Sequence, residues 1–345
     1  MDKNLYIDAS HPNETRVVLK SNNNIEDYEN EGLKSNLSKN NIYLGKVSRI
    51  EPSLQAAFID FGREKHGFLS FNDIQSDYYQ IPKSDLKIIK EEEEKVREEL
   101  SKKNEEKEDE NIAEGKLEID DPIEKESLEE KETLKDEKEK KEEKKPRFKR
   151  YKIQEVIKPN QVILIQVIKD ERGQKGAALS TFISIAGKYI VLMPNTPKGG
   201  GISRKIFNPA DRKKIRSILN EIEIPKEMGL IVRTAGSNKT KNEINYDLTT
   251  LINTWNQIKD TAINSIAPSL IHQESEIIKR TLRDIYDENT NNIIIEGNEG
   301  YKKAQNFMKM MMPSHVKKIK KYRGKIPLFI DEGIEQKLNQ IYDSE

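Results

Sequence analysis

The sequence predicts a mixed α+β protein in which a small β-barrel of the OB type is interrupted by a long charged insert. Two observations support this fold class. Five short strand patterns occur in order, three before the insert and two after it, as in an OB barrel. Further along, segments with a helical apolar stripe alternate with short strands, which is typical of helices packed beside a sheet.

The insert is set apart by its composition. Ser84–Lys145 has 26 acidic and 16 basic side chains, a net charge of −10, and no aromatic residue. The other 283 residues have 44 basic and 34 acidic side chains, a net charge of +10 that suggests a polyanionic partner. Because the insert lacks an apolar face, we expect it to be disordered, and a transient helix held by i,i+4 charge pairs is the alternative.

Composition also excludes several classes of protein. The chain has no Cys, so it has no disulfide, no thiol nucleophile and no thiolate zinc site. Its four His residues are too scattered to predict a metal cluster. We find neither a signal peptide nor about 18 consecutive apolar residues, the length of a membrane span, and therefore expect a cytoplasmic protein.

Alternating apolar and polar residues predict the strands of the first half of the chain. A hairpin is expected at the start, with strands at 4–8 and 15–19 joined by a turn at Pro12 and Asn13. The barrel strands are predicted at 41–50, 54–61, 67–70, 161–169 and 176–181.

The second half mixes strands with helices that have apolar stripes. Strands are predicted at 189–193, 229–234 and 292–296, and helices at 211–222, 245–265, 275–286 and 304–312. The three Gly residues at 199–201 predict a flexible loop that ends at 203–205.

Two aromatic residues of the barrel are candidates for nucleic-acid contacts. Phe58 and Phe68 lie on adjacent predicted strands near basic side chains, and rings beside cations form a platform on which bases stack. The alternative is that both rings belong to the core. Strand alternation argues against it, because Ala57 and Ile59 would take the inner face. Lys175, on the predicted loop between the last two barrel strands, is either a further contact or simply solvated.

A second candidate site lies at the end of the strand predicted at 229–234. Arg233 can donate two parallel hydrogen bonds and Thr234 adds a hydroxyl, which suits a terminal phosphate. An ion pair at the strand end is the alternative. Gly187, shortly before the strand at 189–193, would let the backbone approach a phosphate closely, or it forms an ordinary turn.

No catalytic or metal-binding constellation is visible in the sequence. The segment 236–240 lacks the first Gly of a P-loop, and no helix is predicted to begin at the three Gly residues, so neither nucleotide motif is present. His272 and Glu274 could act as base and acid, but Ser275 capping the helix that follows is the favoured interpretation.

A series of ordered motifs resembles the ribonuclease E/G family and covers nearly the whole chain apart from the insert. The motifs are NIYLGKV at 41–47, RIEPSLQAAFIDFG at 49–62, HGFL at 66–69, KGAAL at 175–179, VLMPN at 191–195, GGISR at 200–204, VRTAG at 232–236 and IHQES at 271–275.

The resemblance implies an RNase H-like α/β domain with an inserted S1 domain of OB fold and a 5′-sensor region. The implied parts are residues 1–40 and 215–290 for the RNase H-like domain, 41–183 for the S1 domain with the insert at about 84–147, 184–214 for the 5′-sensor region, and 291–345 for a connecting segment and the start of a DNase I-like domain.

The resemblance also implies roles for individual residues. The implied RNA contacts are Phe58, Phe68, Lys175 and Arg204. The residues implied in sensing a 5′-monophosphate are Gly187, Arg233 and Thr234, with Val191 packed near the terminal base.

Members of this family cleave single-stranded RNA in RNA processing and mRNA decay, using magnesium held by two aspartates of the DNase I-like domain, and dimerise through a Cys-based zinc link. This chain ends soon after 324–329, which resembles the start of that domain, so we expect the metal aspartates and the dimerisation region to be absent. The expected function is the N-terminal RNA-binding and 5′-monophosphate-sensing part of the enzyme, as a fragment or a truncated product. Alone it should need no cofactor and bind RNA without cutting it. A non-catalytic S1-domain RNA-binding regulator and a structural module whose barrel binds protein are the alternatives.

Overall fold

The computed structural model describes residues 3–342, with gaps at 12–13, 23, 33–37, 92–94, 96–150, 173–174, 197–199, 226 and 275. The strands are β1 (Lys3–His11), β2 (Glu14–Ser21), β3 (Asn24–Gly32), β4 (Ile42–Glu51), β5 (Ala56–Asp60), β6 (Gly67–Ser70), β7 (Val162–Lys169), β8 (Ala178–Ser180), β9 (Ile185–Ala186), β10 (Ile190–Met193), β11 (Gly200–Ile202), β12 (Gly229–Val232), β13 (Ser269–His272), β14 (Asn292–Glu296) and β15 (Ile319–Lys321). The helices are α1 (83–91), α2 (Ile153–Val156), α3 (Pro209–Asn220), α4 (Lys241–Ile263), α5 (Ile277–Asp284), α6 (Asn298–Met311), α7 (Leu328–Asp331) and α8 (Ile334–Tyr342).

A mixed five-stranded sheet contains both the start of the chain and its last third. Its strand order is β15-β14-β1-β2-β3, with β14 and β15 parallel to β1, and β1, β2 and β3 antiparallel. The two strands predicted at the start are confirmed as the antiparallel pair β1 and β2, while the turn predicted at Pro12 and Asn13 lies outside the described residues. Helices α5 and α6 pack on the face that bears Leu5 and Ile7, while α7 and α8 pack on the opposite face against Tyr6 and Val18.

The predicted barrel is confirmed as a closed, OB-like barrel of five strands. The strands follow each other in the order β4-β5-β6-β8-β7, and pairing of β7 with β4 closes the ring. Only β6 and β8 are parallel to each other; the other neighbours in the ring are antiparallel. Val47, Ile59, Leu69, Ile163 and Ile165 fill its interior. Strand β13 pairs with the first half of β4 and so joins the barrel to the rest of the molecule.

Most of the insert, and the disorder predicted for it, lies outside the described residues. Its first residues are an exception, because 84–91 belong to helix α1. Side-chain contacts of Asp85 and Lys90 help to hold this helix. Tyr151 donates a hydrogen bond to the carboxylate of Asp85, and Lys90 forms an ion pair with Asp77 at 2.6 Å.

A four-stranded sheet with the order β11-β12-β10-β9 forms the third unit. Helices α3 and α4 share a core with its buried face, which bears Ile190, Leu192, Leu230 and Val232. Part of the loop predicted at 199–205 is instead strand β11, parallel to β12. The pairing is made by backbone N–H and C=O groups. Strand β11 therefore extends the sheet although two of its three residues are Gly.

The chain does not pass from one buried core to another at residues 214 and 290, where the predicted domain boundaries lie. Helices α3 and α4 belong with the four-stranded sheet, because their apolar faces are buried in its core. Strands β14 and β15 instead continue the sheet that begins at β1. The segment 324–329 also belongs there, since Leu328 and Phe329 are buried against β1 and β2.

Candidate nucleic-acid interface

A single row of side chains crosses the outer face of the barrel. The strand register places one residue of the row on each of β7, β8, β6, β5 and β4, and these are Lys169, Ala178, Phe68, Phe58 and Arg49. Both Phe rings are half-buried at the centre of the row, and an exposed cation stands at each end. We call these five residues the platform row.

The two Phe rings face outward because their neighbours in sequence fill the barrel. Ala57, Ile59 and Leu69 are each 0% exposed and belong to the barrel core. The alternation that predicted an outward Phe58 is therefore confirmed, and neither Phe is a core residue. The ring centroids lie 6.0 Å apart with planes at 76°, an edge-to-face pair. The guanidinium of Arg49 lies 4.4 Å from the centroid of the Phe58 ring, which holds a cation beside the platform.

The structure places the other two candidate RNA contacts at separate positions. Lys175 is exposed on the turn between β7 and β8, where its backbone N–H and C=O pair with those of Arg172 at 3.0 and 3.1 Å. It lies three residues before Ala178 in sequence, on the segment that leads into β8. Arg204 is exposed just after β11, in the unit of the four-stranded sheet and not in the barrel.

The candidate phosphate-sensing residues converge at one end of the four-stranded sheet. The backbone N–H of Arg233 donates to the carbonyl of Tyr189 at 2.8 Å, and its Nη1 donates to the carbonyl of Gly187 at 2.8 Å. Thr234 is exposed at the start of the 3₁₀ turn that follows. Val191 lies on β10 opposite Ile231, on the face of the sheet that α3 and α4 leave uncovered.

Asp247 holds the backbone that carries Gly187, and the sequence analysis missed it. Its carboxylate is buried on α4 and accepts hydrogen bonds from the N–H groups of Tyr189 at 2.8 Å, Ile190 at 3.2 Å and Lys188 at 3.4 Å. A Cβ at position 187 would lie 2.6 Å from a carboxylate oxygen, so this position requires Gly. Burial raises the pKa of Asp247, although the three hydrogen bonds oppose the shift. The one sign of this role in the sequence is that Asp247 is an acidic residue within the apolar stripe of α4.

Arg233 also forms an ion pair at the end of its strand. Its Nη2 lies 2.6 Å from Oδ1 of Asp284, at the end of α5. Asp284 also pairs with its neighbour Arg283, whose Nη2 lies 2.9 Å from Oδ2, and Arg283 in turn pairs with Glu274. These ion pairs thus form a chain of alternating charges. It leads from Arg233 through Asp284 and Arg283 to Glu274, just after β13.

The predicted helix cap at Ser275 lies outside the described residues. The residue before α5 is Glu276, whose side chain makes no capping hydrogen bond, and the carboxylate of Glu31 accepts the N–H of Ile277 at 3.0 Å instead. His272 and Glu274 contact each other, with Nε2 of the ring 3.1 Å from a carboxylate oxygen.

Lys188, next to Gly187, makes the stability of this region depend on pH. It is buried, its Nζ donates to the carbonyl of Tyr286, and burial lowers its pKa to about 8 from 10.5. Between about pH 8 and pH 10.5 the unfolded chain therefore holds more protons, so the contribution of Lys188 to the free energy of unfolding rises with pH. Urea denaturation across this range should show that Lys188→Met removes the rise; equal slopes in both proteins would contradict this.

Comparison with known proteins points to the same family as the sequence motifs. The family model for the "Ribonuclease E/G family" matches residues 184–345. A putative ribonuclease E of Buchnera aphidicola subsp. Baizongia pistaciae is 32% identical over 340 residues, which cover 98% of this chain and 68% of that protein. The chain belongs to the ribonuclease E/G family.

Other members of the family match over the same extent of this chain. Identity is 33% with ribonuclease E of Haemophilus influenzae and 35% with ribonuclease E of Escherichia coli strain K12, each over 99% of this chain. The chain spans 30% and 26% of the length of those two proteins.

Among the residues that the structure describes, no group of three or more His, Asp or Glu is placed to hold a metal ion. The chain has no Cys and so supplies no thiolate for the zinc link of the family. In the same described part, no helix combines the length and the apolar character needed to cross a membrane.

Proposed function

We propose that this chain is the N-terminal RNA-binding and 5′-monophosphate-sensing part of a ribonuclease E/G-type endoribonuclease. Its substrate is single-stranded RNA, in RNA processing and mRNA decay in the cytoplasm. The observation that carries the proposal is the platform row, which combines two outward Phe rings with a cation at each end on an OB-like barrel. Family membership supports the substrate class, because the relatives are named ribonuclease E.

The platform row suits a single strand better than a duplex. Unpaired bases can stack on Phe58 and Phe68, while Arg49 and Lys169 neutralise phosphates on either side. Neighbouring strands are about 4.8 Å apart, so the row extends across roughly 19 Å of the barrel. Lys175, on the segment that leads into β8, supplies a further cation for the RNA backbone.

The sensing residues suit a terminal phosphate. Arg233 supplies a guanidinium and Thr234 a hydroxyl, while the carbonyl of Gly187 accepts a hydrogen bond from Nη1 of Arg233 and so helps to position the guanidinium. The exposed sheet face with Val191 offers an apolar surface for the first base, and Arg204 extends the path for the RNA. A triphosphate fits less well, because its charge and bulk exceed what one guanidinium and one hydroxyl can bind.

We also propose that the mixed five-stranded sheet with helices on both faces is an RNase H-like domain. On the packing of the described residues, it comprises 3–32 and 277–342, and the sensor unit extends from β9 to α4. We propose that this chain by itself binds RNA without cleaving it.

Replacing Arg233 with Ala tests the sensing role. We expect the preference for RNA with a 5′-monophosphate over RNA with a 5′-hydroxyl to fall by about 1–3 kcal/mol, because a charge-assisted hydrogen bond is lost. Fluorescence anisotropy with the two forms of one short RNA measures it. Arg280→Ala is the matched control. Arg280 lies on α5 and forms an ion pair of similar exposure with Glu29 at 2.8 Å, away from Arg233. An unchanged preference in Arg233→Ala would remove Arg233 from the site.

A further inference from the structure

Both terminal nitrogens of Arg233 have a partner before any ligand arrives. One terminal nitrogen donates to the carbonyl of Gly187 at 2.8 Å, and the other lies 2.6 Å from the carboxylate of Asp284. The side chains of Arg233 and Asp284 are each 30% exposed, so a phosphate in solution can reach the pair. A phosphate that binds this guanidinium therefore meets a carboxylate that already occupies it.

Asp284 has a second cationic partner that keeps it in place. Arg283 donates to Oδ2 from Nη2 at 2.9 Å and to Oδ1 from Nε at 3.2 Å. The Arg283 side chain is only 7% exposed, and it is held from its other side by Glu274. Asp284 can therefore lose its contact with Arg233 without becoming an unpaired charge, which lowers the cost of exchanging it for a phosphate.

We infer that Asp284 competes with the 5′-phosphate of RNA for Arg233 and thereby limits the site to terminal phosphomonoesters. This inference rests on the proposed function of Arg233. A phosphomonoester has a charge of about −1.5 to −2 at pH 7, whereas a carboxylate or an internal phosphodiester has a charge of −1. Between a terminal monoester and an internal phosphodiester, the monoester alone offers the guanidinium more negative charge than Asp284 does. An internal phosphate gains little by displacing Asp284, so the strand is engaged at its end.

Replacing Asp284 with Asn tests the competition. We expect the affinity for a short RNA with a 5′-monophosphate to rise about three- to ten-fold, because the phosphate no longer displaces a charged partner. The affinity for the 5′-hydroxyl form rises by less, as an internal phosphate can now contact Arg233. Asp287→Asn is the matched control: it removes a carboxylate three residues further on that pairs with Lys3 at 2.8 Å, and it leaves both affinities unchanged.

The possible outcomes separate the inference from the function beneath it. A wild-type chain without preference for the 5′-monophosphate contradicts the sensing function and the inference together. A wild-type preference combined with unchanged or weaker binding in Asp284→Asn overturns the inference alone, because Asp284 would then only position Arg233.

A measurement on the wild-type chain keeps the inference testable if the variant does not fold. Burial opposes ionisation of Asp284, but hydrogen bonds and charges from Arg283 and Arg233 outweigh it and lower its pKa. When an RNA with a 5′-monophosphate takes Arg233, the pKa of Asp284 should rise, which NMR titration of the carboxyl group detects. A pKa that is the same with and without the RNA would overturn the competition.

Discussion

A Phe58→Ala, Phe68→Ala double variant binds single-stranded RNA about 2–6 kcal/mol more weakly than the wild-type chain, on the expectation that each ring stacks one base. The rings face solvent in the centre of the platform row, while the barrel core is formed by other residues. The loss should therefore be larger in RNA affinity than in stability, although the half-buried, edge-to-face rings also contribute to stability and the thermal midpoint of unfolding should fall modestly. Fluorescence anisotropy at constant salt, together with a thermal melt, measures both quantities.

Val162→Ala is the control for this variant. Val162 is an apolar residue of the same barrel, 47% exposed on β7 and outside the platform row, so its loss should not change RNA affinity. If RNA affinity were the same in the double variant and the wild type, the platform row would not be the RNA-binding surface. Binding that was also insensitive to salt and to Lys175→Ala would favour a barrel that binds protein.

Asp247→Ala lowers the free energy of unfolding by about 2–4 kcal/mol, because three buried N–H groups of residues 188–190 lose their acceptor. The loss is limited because burying the carboxylate is itself unfavourable, as its raised pKa indicates. The same variant should lose the preference for a 5′-monophosphate, since the backbone at Gly187 is no longer held. Urea denaturation and anisotropy with the two RNA forms measure these effects.

Asp260→Ala serves as the control, because Asp260 lies on the same helix but is exposed. It should change the free energy of unfolding by less than about 0.5 kcal/mol, as is usual for a surface substitution. A stable Asp247→Ala variant that kept its 5′-end preference would show that Asp247 does not shape the sensing loop.

The barrel and its outward rings could be predicted because their signals are local. Alternation along β5 requires only that Ala57 and Ile59 face one side and Phe58 the other, and five such strands in order specify the barrel. The turn that bears Lys175 follows from the two strands beside it. The edge strand β3 gave no such signal, because it is rich in polar residues and none of its residues is fully buried.

The proposed sensing site depends on contacts between residues far apart in sequence. Arg233 and Asp284 are 51 residues apart, and Tyr189 and Asp247 are 58 apart, so no local pattern joins them. The sequence could therefore name Arg233 and leave the ion pair open, but it could not name Asp284 as the partner. Long-range pairing also explains why the buried cores do not follow the predicted domain boundaries. Strand β14 lies beside β1 in the sheet although most of the chain separates them in sequence.

Photo-crosslinking of a short single-stranded RNA with a 5′-monophosphate, followed by peptide mapping, tests the central claim most directly. One RNA would have the photoreactive base at its 5′ end and another would have it several nucleotides downstream. We expect the 5′ probe to label peptides near Gly187, Val191 or Arg233, and the downstream probe to label peptides with Phe58 or Phe68. Labelling by both probes only outside these peptides would contradict the account.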